Sequence, residues 1–138
     1  MSDKIFIDTN ILIYFHSKTE PAKQRIAQEI LDKTDILVIS TQVINEFINV
    51  LSKKQQTSFE RIEKIIQELS DSFHIAYISI DTIRLALKLS KQSQYSYFDS
   101  LMLAAALENN CAVIYTEDMH HGQLIESHLT IINPFKAQ

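Results

Sequence analysis

Short apolar runs alternate with longer segments of helical periodicity along almost the whole chain, and this alternation limits the possible folds more than any other feature. Helices are predicted from residue 20, from residue 40 or 41, from residue 57, and over about residues 81–92 and 98–108. The apolar runs predict strands over residues 5–7, 35–40, 75–79, 112–115 and 129–132. Strands and helices in this order form a mostly parallel sheet with helices on both faces. We therefore predict one α/β domain over residues 1–138, with about four to five strands.

The counts of glycine and cysteine exclude several classes of protein. One glycine in 138 residues excludes the glycine-rich dinucleotide fingerprint and the Walker-type phosphate loop, because each needs several glycines. The single cysteine, Cys111, excludes an internal disulfide and fits a reducing compartment. No apolar run approaches the roughly 20 residues that cross a bilayer, and the start of the chain shows no signal peptide. We expect a cytoplasmic protein without a membrane partner.

Four acidic residues are predicted to meet at one edge of the sheet. Asp8 and Asp118 follow the first and fourth predicted strands. Glu46 lies just inside the helix that leaves the second strand, and Asp99 begins the helix that leads into the fourth. Sites in parallel sheets form at the carboxyl ends of the strands, so all four carboxylates are expected there. Each acid alone is also explained as a turn, helix-terminus or solvated residue, but four such coincidences at one edge are less probable than one site.

A cluster of carboxylates needs cations, because each negative charge makes it harder for its neighbours to ionise. Hard divalent ions that prefer oxygen ligands are the usual partners of such clusters. Divalent ions held by carboxylates commonly act on phosphate groups. The sequence therefore predicts a metal-dependent enzyme that acts on phosphate esters.

The order and spacing of these motifs resemble those of PIN-domain nucleases, and most of all the VapC-type toxins of bacterial toxin–antitoxin pairs. The resemblance covers essentially the whole chain. It implies a ribonuclease that binds one or two Mg²⁺ or Mn²⁺ ions, a cognate antitoxin partner and a homodimer. The matching residues are Asp8, Thr9 and Asn10, Glu46, Asp99 with residues 100–106, Thr116, Glu117 and Asp118, residues 120–123 and residues 132–135.

The resemblance also implies a division of roles. The metal ligands and catalytic acids would be Asp8, Glu46, Asp99 and Asp118. Because Mg²⁺ takes only one or two direct carboxylates, we expect Asp8 and Asp99 to contact the ion and the other two to act through water or hold a second ion. Asn10 and Thr116 would orient the carboxylates, whereas Thr9 would serve the turn. Glu117 would support the acids with Asn10 and Thr116, or would take the place of Asp118 as the fourth acid.

Several other groups have two interpretations. The net charge of −4 argues against unaided nucleic-acid binding. A basic group at the turn between the second and third predicted helices would contact RNA or form a solvated polar face. An aromatic group before Asp99 would stack bases or pack in the core. A histidine pair would bind metal or belong to a surface loop. These groups are Lys53, Lys54, Arg61 and Lys64; Tyr95, Tyr97 and Phe98; and His120 and His121.

Two other classes of protein compete with a nuclease. A phosphoacceptor signalling domain would need a second acid beside Asp8 and a lysine soon after Tyr115, and the chain has neither. A catalytically silent interaction module could keep the fold without the acids, whereas this chain has the full set.

Overall fold

A computed structural model describes residues 3–34 and 36–136, and in this part of the chain six strands form one sheet with six helices around it. Asp35, predicted as the first residue of the second strand, lies outside the described residues. The elements in chain order are β1 (Lys4–Ile7), α1 (Thr9–Phe15), α2 (Pro21–Lys33), β2 (Ile36–Ser40), α3 (Thr41–Lys53), α4 (Phe59–Ser72), β3 (His74–Ala76), α5 (Ile80–Gln92), α6 (Tyr97–Glu108), β4 (Val113–Tyr115), β5 (Leu124–Ile125) and β6 (Leu129–Ile132).

The sheet has the strand order β3-β2-β1-β4-β6-β5. All neighbouring pairs are parallel except β5 with β6, which is antiparallel. Strand β1 lies between β2 and β4, with Phe6 in register with Val38 and Ile114. The prediction of an α/β fold with a mostly parallel sheet is confirmed, although the described sheet has six strands rather than four to five.

The core is largest around the central strands and α6. Phe6, Val38 and Ile114 are fully buried on neighbouring strands. Helix α6 packs on α5, β2 and β4, and its residues from Leu101 to Ala106 are nearly inaccessible to solvent. A helix that is apolar on all sides must be buried in this way. Its first turn, with Asp99, is thereby fixed relative to the sheet.

Four local details differ from the prediction, and the first three reflect local hydrogen bonding. Helix α1 follows β1 directly because Asp8 caps it, accepting a hydrogen bond from Thr9 N. Strand β3 ends at Ala76 instead of residue 79, and Ser79 caps α5. The third predicted helix is capped by Ser58, which accepts from Arg61 N. The two-residue strand β5 has too little pattern to be seen in the sequence.

In the described part of the chain, no helix is long and apolar enough to cross a membrane.

Candidate active site

Asp8 is the buried centre of the candidate site. It follows β1 at the middle of the sheet, and its N–H donates to Tyr115 O at 3.1 Å. Its side chain is only 4% exposed and accepts hydrogen bonds from Thr9 N at 2.5 Å and from Thr116 Oγ1 at 2.6 Å. Burial raises the pKa of Asp8 from 3.8 to about 7, with further raising by the charges of Asp118 and Glu46, against the lowering effect of its two hydrogen bonds.

Glu46 reaches the site from α3 and is held by two neighbours. Its Oε1 accepts from Thr9 Oγ1 at 2.7 Å, and its Oε2 accepts from Gln42 Nε2 at 3.2 Å. Gln42 is 8% exposed, and its Nε2 also donates to Phe98 O at 3.1 Å, beside Asp99. The Gln42 amide therefore links the helices that carry Glu46 and Asp99.

Asp118 is the exposed member of the set. Its Oδ2 accepts from Asn10 Nδ2 at 3.0 Å, and its N–H donates to Thr116 Oγ1 at 3.1 Å. Because the same hydroxyl donates to Asp8, Thr116 connects the two acids. Thr116 is fully buried and its N–H donates to Ile132 O at 3.0 Å, which fixes it to the sheet.

Asp99 completes the set from the first turn of α6. Its N–H donates to Ser96 Oγ at 3.2 Å, and its side chain is half-buried. Burial raises the pKa of Asp99, and the charges of Asp118 and Glu46 raise it further, while the Ser96 hydrogen bond lowers it. Asp118 and Glu46 therefore lie close enough to both Asp8 and Asp99 for their charges to raise the pKa of each.

Glu117 points into a different environment from Asp118. Its carboxylate accepts from the Tyr14 hydroxyl and forms a salt bridge with Lys23 Nζ at 3.0 Å. Lys23 Nζ also donates to the Tyr14 hydroxyl at 3.1 Å and lies 4.6 Å and 5.4 Å from the ring centroids of Tyr14 and Phe135. Hydrogen bonds to Tyr14 and then Glu117 raise the pKa of Lys23, which stays charged. Glu117 is thus engaged by α1 and α2.

The donor set fits a hard divalent ion in its chemistry. The site offers carboxylates, of which burial and neighbouring negative charges raise the pKa of Asp8 and Asp99, and a buried, unpartnered amide oxygen at Asn10 Oδ1. Such oxygen groups are the ligands that hard divalent ions bind. Within residues 3–34 and 36–136, no three His, Cys, Asp or Glu side chains are already grouped tightly enough to hold an ion. Bringing the four carboxylates close enough to bind one ion would therefore require rotation of the Asp99 and Asp118 side chains, both of which have exposed surface.

The other residues singled out in the sequence have separate places. Tyr95 packs against the core, while Phe98 is 62% exposed. His121 Nδ1 accepts from Asn133 N at 3.0 Å, whereas His120 lines a groove beside Asp118, so the two histidines have different surroundings. The predicted basic group lies in exposed positions, and among the described residues no salt bridge joins it to the acids; its members are Lys53, Lys54, Arg61 and Lys64.

Sequence reasoning missed four supporting residues. Thr9 was interpreted as a turn residue, but it holds Glu46; Gln42, Tyr14 and Lys23 were not singled out. Apart from Gln42 lying one helical turn before Glu46, no local pattern marks them. A separate apolar groove of about 420 Å³ between α1, α2 and α4 contains none of the predicted acids among its described lining residues.

The sequence model of the PIN domain family matches residues 5–124. The chain belongs to the PIN domain family. The PIN domain of this chain is similar to a toxin–antitoxin complex from Klebsiella pneumoniae, with a TM-score of 0.73, 23% identity and coverage of 96% of this chain and 99% of that one. It is also similar to VapC20 of Mycobacterium tuberculosis, described as a sarcin–ricin loop cleaving toxin (TM-score 0.68, 16% identity, coverage 83% and 91%).

A third similar structure is VapBC-1 from nontypeable Haemophilus influenzae, with a TM-score of 0.63, 23% identity and coverage of 83% of this chain and 87% of that one. At these identities the likeness establishes the fold. Among curated proteins, none matches the chain by sequence. The predicted resemblance to PIN-domain proteins, with VapC toxins as structural neighbours, is confirmed.

Proposed function

We propose that this PIN domain is a metal-dependent endoribonuclease and the toxin of a toxin–antitoxin pair. One observation carries the proposal: carboxylates from four distant parts of the chain lie at one edge of the sheet, where burial and the charges of Asp118 and Glu46 raise the pKa of Asp8 and Asp99. Such a set is costly to ionise without cations, so its natural use is to bind them. The similar structures are toxins or toxin complexes, which supports RNA as the substrate and an antitoxin as the partner.

Asp8 and Asp99 would hold Mg²⁺ or Mn²⁺ directly, with Glu46 and Asp118 acting through water or holding a second ion. The bound ion would activate a water molecule for attack on the RNA phosphodiester and offset the charge on the leaving oxygen. Thr116 holds Asp8 and Thr9 holds Glu46, so the two carboxylates keep their orientation. Asn10 does the same for Asp118.

The test of the proposal is cleavage of total cellular RNA by the purified chain, with and without Mg²⁺ or Mn²⁺. Metal-dependent cleavage is expected. Tight metal binding without RNA cleavage would instead favour a narrower substrate, and neither metal binding nor cleavage would favour the silent interaction module. Binding of a phosphate analogue at Asp8 without cleavage would favour the phosphoacceptor domain.

Asp118, rather than Glu117, is expected to be the fourth acid. Asp118→Asn should lower RNA cleavage by roughly 10- to 100-fold and raise the Mg²⁺ concentration needed for half-maximal activity, as expected when a supporting metal group is lost. Glu117→Gln keeps an oxygen that accepts from Tyr14 and should change neither quantity by more than a few-fold. Cleavage assays over a Mg²⁺ titration measure both. The reverse ranking of the two variants would assign the fourth position to Glu117.

The antitoxin is proposed as a small protein encoded beside this chain. Co-expression of the two should give a complex that purifies as one species and cleaves RNA more slowly than the free chain. A complex that forms without any loss of cleavage would speak against an inhibitor.

The proposal includes a homodimer, with α5 as the candidate contact. Ile80 and Leu87 are 64% and 56% exposed and lie two helical turns apart on one side of α5. Placing a charge in such a contact should be costly because it would be buried without a partner. Leu87→Glu is expected to give a monomer by light scattering where the unchanged chain gives a dimer, whereas Phe59→Glu on α4 is the matched control. A dimer that survives Leu87→Glu and dissociates with Phe59→Glu would move the contact to α4.

A further inference from the structure

We propose that a groove beside Asp118 binds one unpaired base of the RNA, next to the phosphodiester that the metal-activated water would attack; this rests on the proposed function. The base groove has a volume of about 550 Å³, which is ample for a nucleotide-sized ligand. Its lining residues are Ser93, Gln94, Tyr95, Asp118, His120 and Gln123.

The base groove is built where two loops meet. Residues 93–96 join α5 to α6, and residues 116–123 follow β4. The Tyr95 hydroxyl donates to Gln123 Oε1 and accepts from His120 N at 3.0 Å, which ties the loops together. Tyr95 N donates to Ser93 Oγ at 3.1 Å, and Tyr95 O accepts from Ser90 Oγ at 3.0 Å. The aromatic wall of the groove is therefore fixed before any ligand arrives.

The chemistry of the groove fits a base better than a phosphate. The described residues that line it include no lysine or arginine, and Asp118 adds a negative charge, so an anionic group would be disfavoured. The Tyr95 and His120 rings, 6.1 Å apart and inclined at 62°, offer flat aromatic surface. Gln94 and Gln123 add amide donors and acceptors. Aromatic stacking with hydrogen bonds to base edges is how proteins bind unpaired RNA bases.

The position of the groove relates it to the acids. Asp118 forms a wall of the groove. It also belongs to the acid set, because Asn10 holds it and its charge raises the pKa of Asp8 and Asp99. A base held there would belong to a nucleotide adjoining the bond that is cleaved. His120 and Gln94 therefore become candidates for determining substrate preference, whereas Tyr95 positions the two loops.

The test uses fluorescence anisotropy with the full chain carrying Asp8→Asn, in Mg²⁺, so that RNA is bound and not cut. The probes are fluorescein-labelled hexamers of uridine and of adenosine, and a hexamer of the same length without bases. Stacking of one base contributes enough that the better-bound hexamer should bind roughly tenfold more tightly than the abasic one. Adding His120→Ala or Gln94→Ala should reduce the ratio of the affinity for the better-bound hexamer to that for the abasic one at least about threefold.

His128→Ala and Gln28→Ala are the matched controls, since both residues are exposed and neither lines the base groove. They should leave the ratio of the two affinities unchanged.

Three results would overturn the inference. These are equal binding of the base-bearing and abasic hexamers, an affinity ratio that His120→Ala and Gln94→Ala do not change, and no binding of any hexamer. Cleavage of total RNA by the unchanged chain is measured in parallel. Cleavage together with an insensitive ratio would reject the base groove alone, whereas loss of both cleavage and hexamer binding would reject the nuclease as well.

Discussion

Asp8→Asn and Asp99→Asn are each expected to slow RNA cleavage roughly thousandfold or more, in Mg²⁺ and in Mn²⁺ alike. Each change replaces a carboxylate by a neutral amide and so removes negative charge that would hold the ion. A bound ion stabilises the charge of the transition state by several kcal/mol, so its loss should slow the reaction by this factor. The fold should persist, because an amide at position 8 still accepts from Thr9 N and can donate to Thr116 Oγ1. Initial rates on total RNA measure the effect.

Asp71→Asn is the matched control for this loss. Asp71 is an exposed acid on α4, and its carboxylate accepts from Gln67. Its replacement removes the same charge away from the acids and should leave the rate within about twofold, as is usual for surface changes. Circular dichroism of all three variants checks the fold. Full activity in folded Asp8→Asn would remove Asp8 from the catalytic set, and calorimetric Mg²⁺ titrations of the same proteins would show whether it still binds the metal.

The location of the candidate site at the carboxyl edge of the sheet could be predicted from the ends of the strands alone. In a parallel sheet the residue after each strand lies at one edge, so Asp8 and Asp118 could be placed without any knowledge of contacts. The helix directions then added Glu46 and Asp99. The structure brings these four acids to the same edge, while their catalytic roles stay a prediction.

The supporting hydrogen bonds could not be predicted in the same way. Glu117 and Asp118 are neighbours with the same charge, and what separates them is the position of Lys23 and Tyr14, which are 94 and 103 residues away. Helix α1 was not predicted because its apolar part, residues 11–15, is only five residues long and follows β1 after three polar residues. A short apolar run does not distinguish strand from helix. The three-dimensional path of the chain supplies this information.

Without metal, the chain is expected to become less stable as the pH rises from about 4 to about 7. The pKa of Asp8 is raised from 3.8 to about 7 by burial, so between these values the folded state keeps a proton that the unfolded state has lost. A state that holds more protons loses stability as the pH rises. The loss is complete above about pH 7, and at 1.36 kcal/mol per unit its upper limit is about 4 kcal/mol.

Asp8→Asn isolates this effect, because its side chain does not titrate. Urea unfolding in EDTA at about pH 4.5, 6 and 8 gives the free energy of unfolding of each protein. As the pH rises, the free energy of unfolding of Asp8→Asn should increase relative to that of the unchanged chain, and at pH 8 the variant should be the more stable of the two. For Asp71→Asn, the difference in free energy of unfolding from the unchanged chain should stay the same at all three pH values.

Mg²⁺ should restore stability to the unchanged chain at pH 8, since an ion that binds only the folded state stabilises it. A constant difference between Asp8→Asn and the unchanged chain across this range would mean that Asp8 is ionised at no cost, and the electrostatic case for a cation at this edge would then be lost.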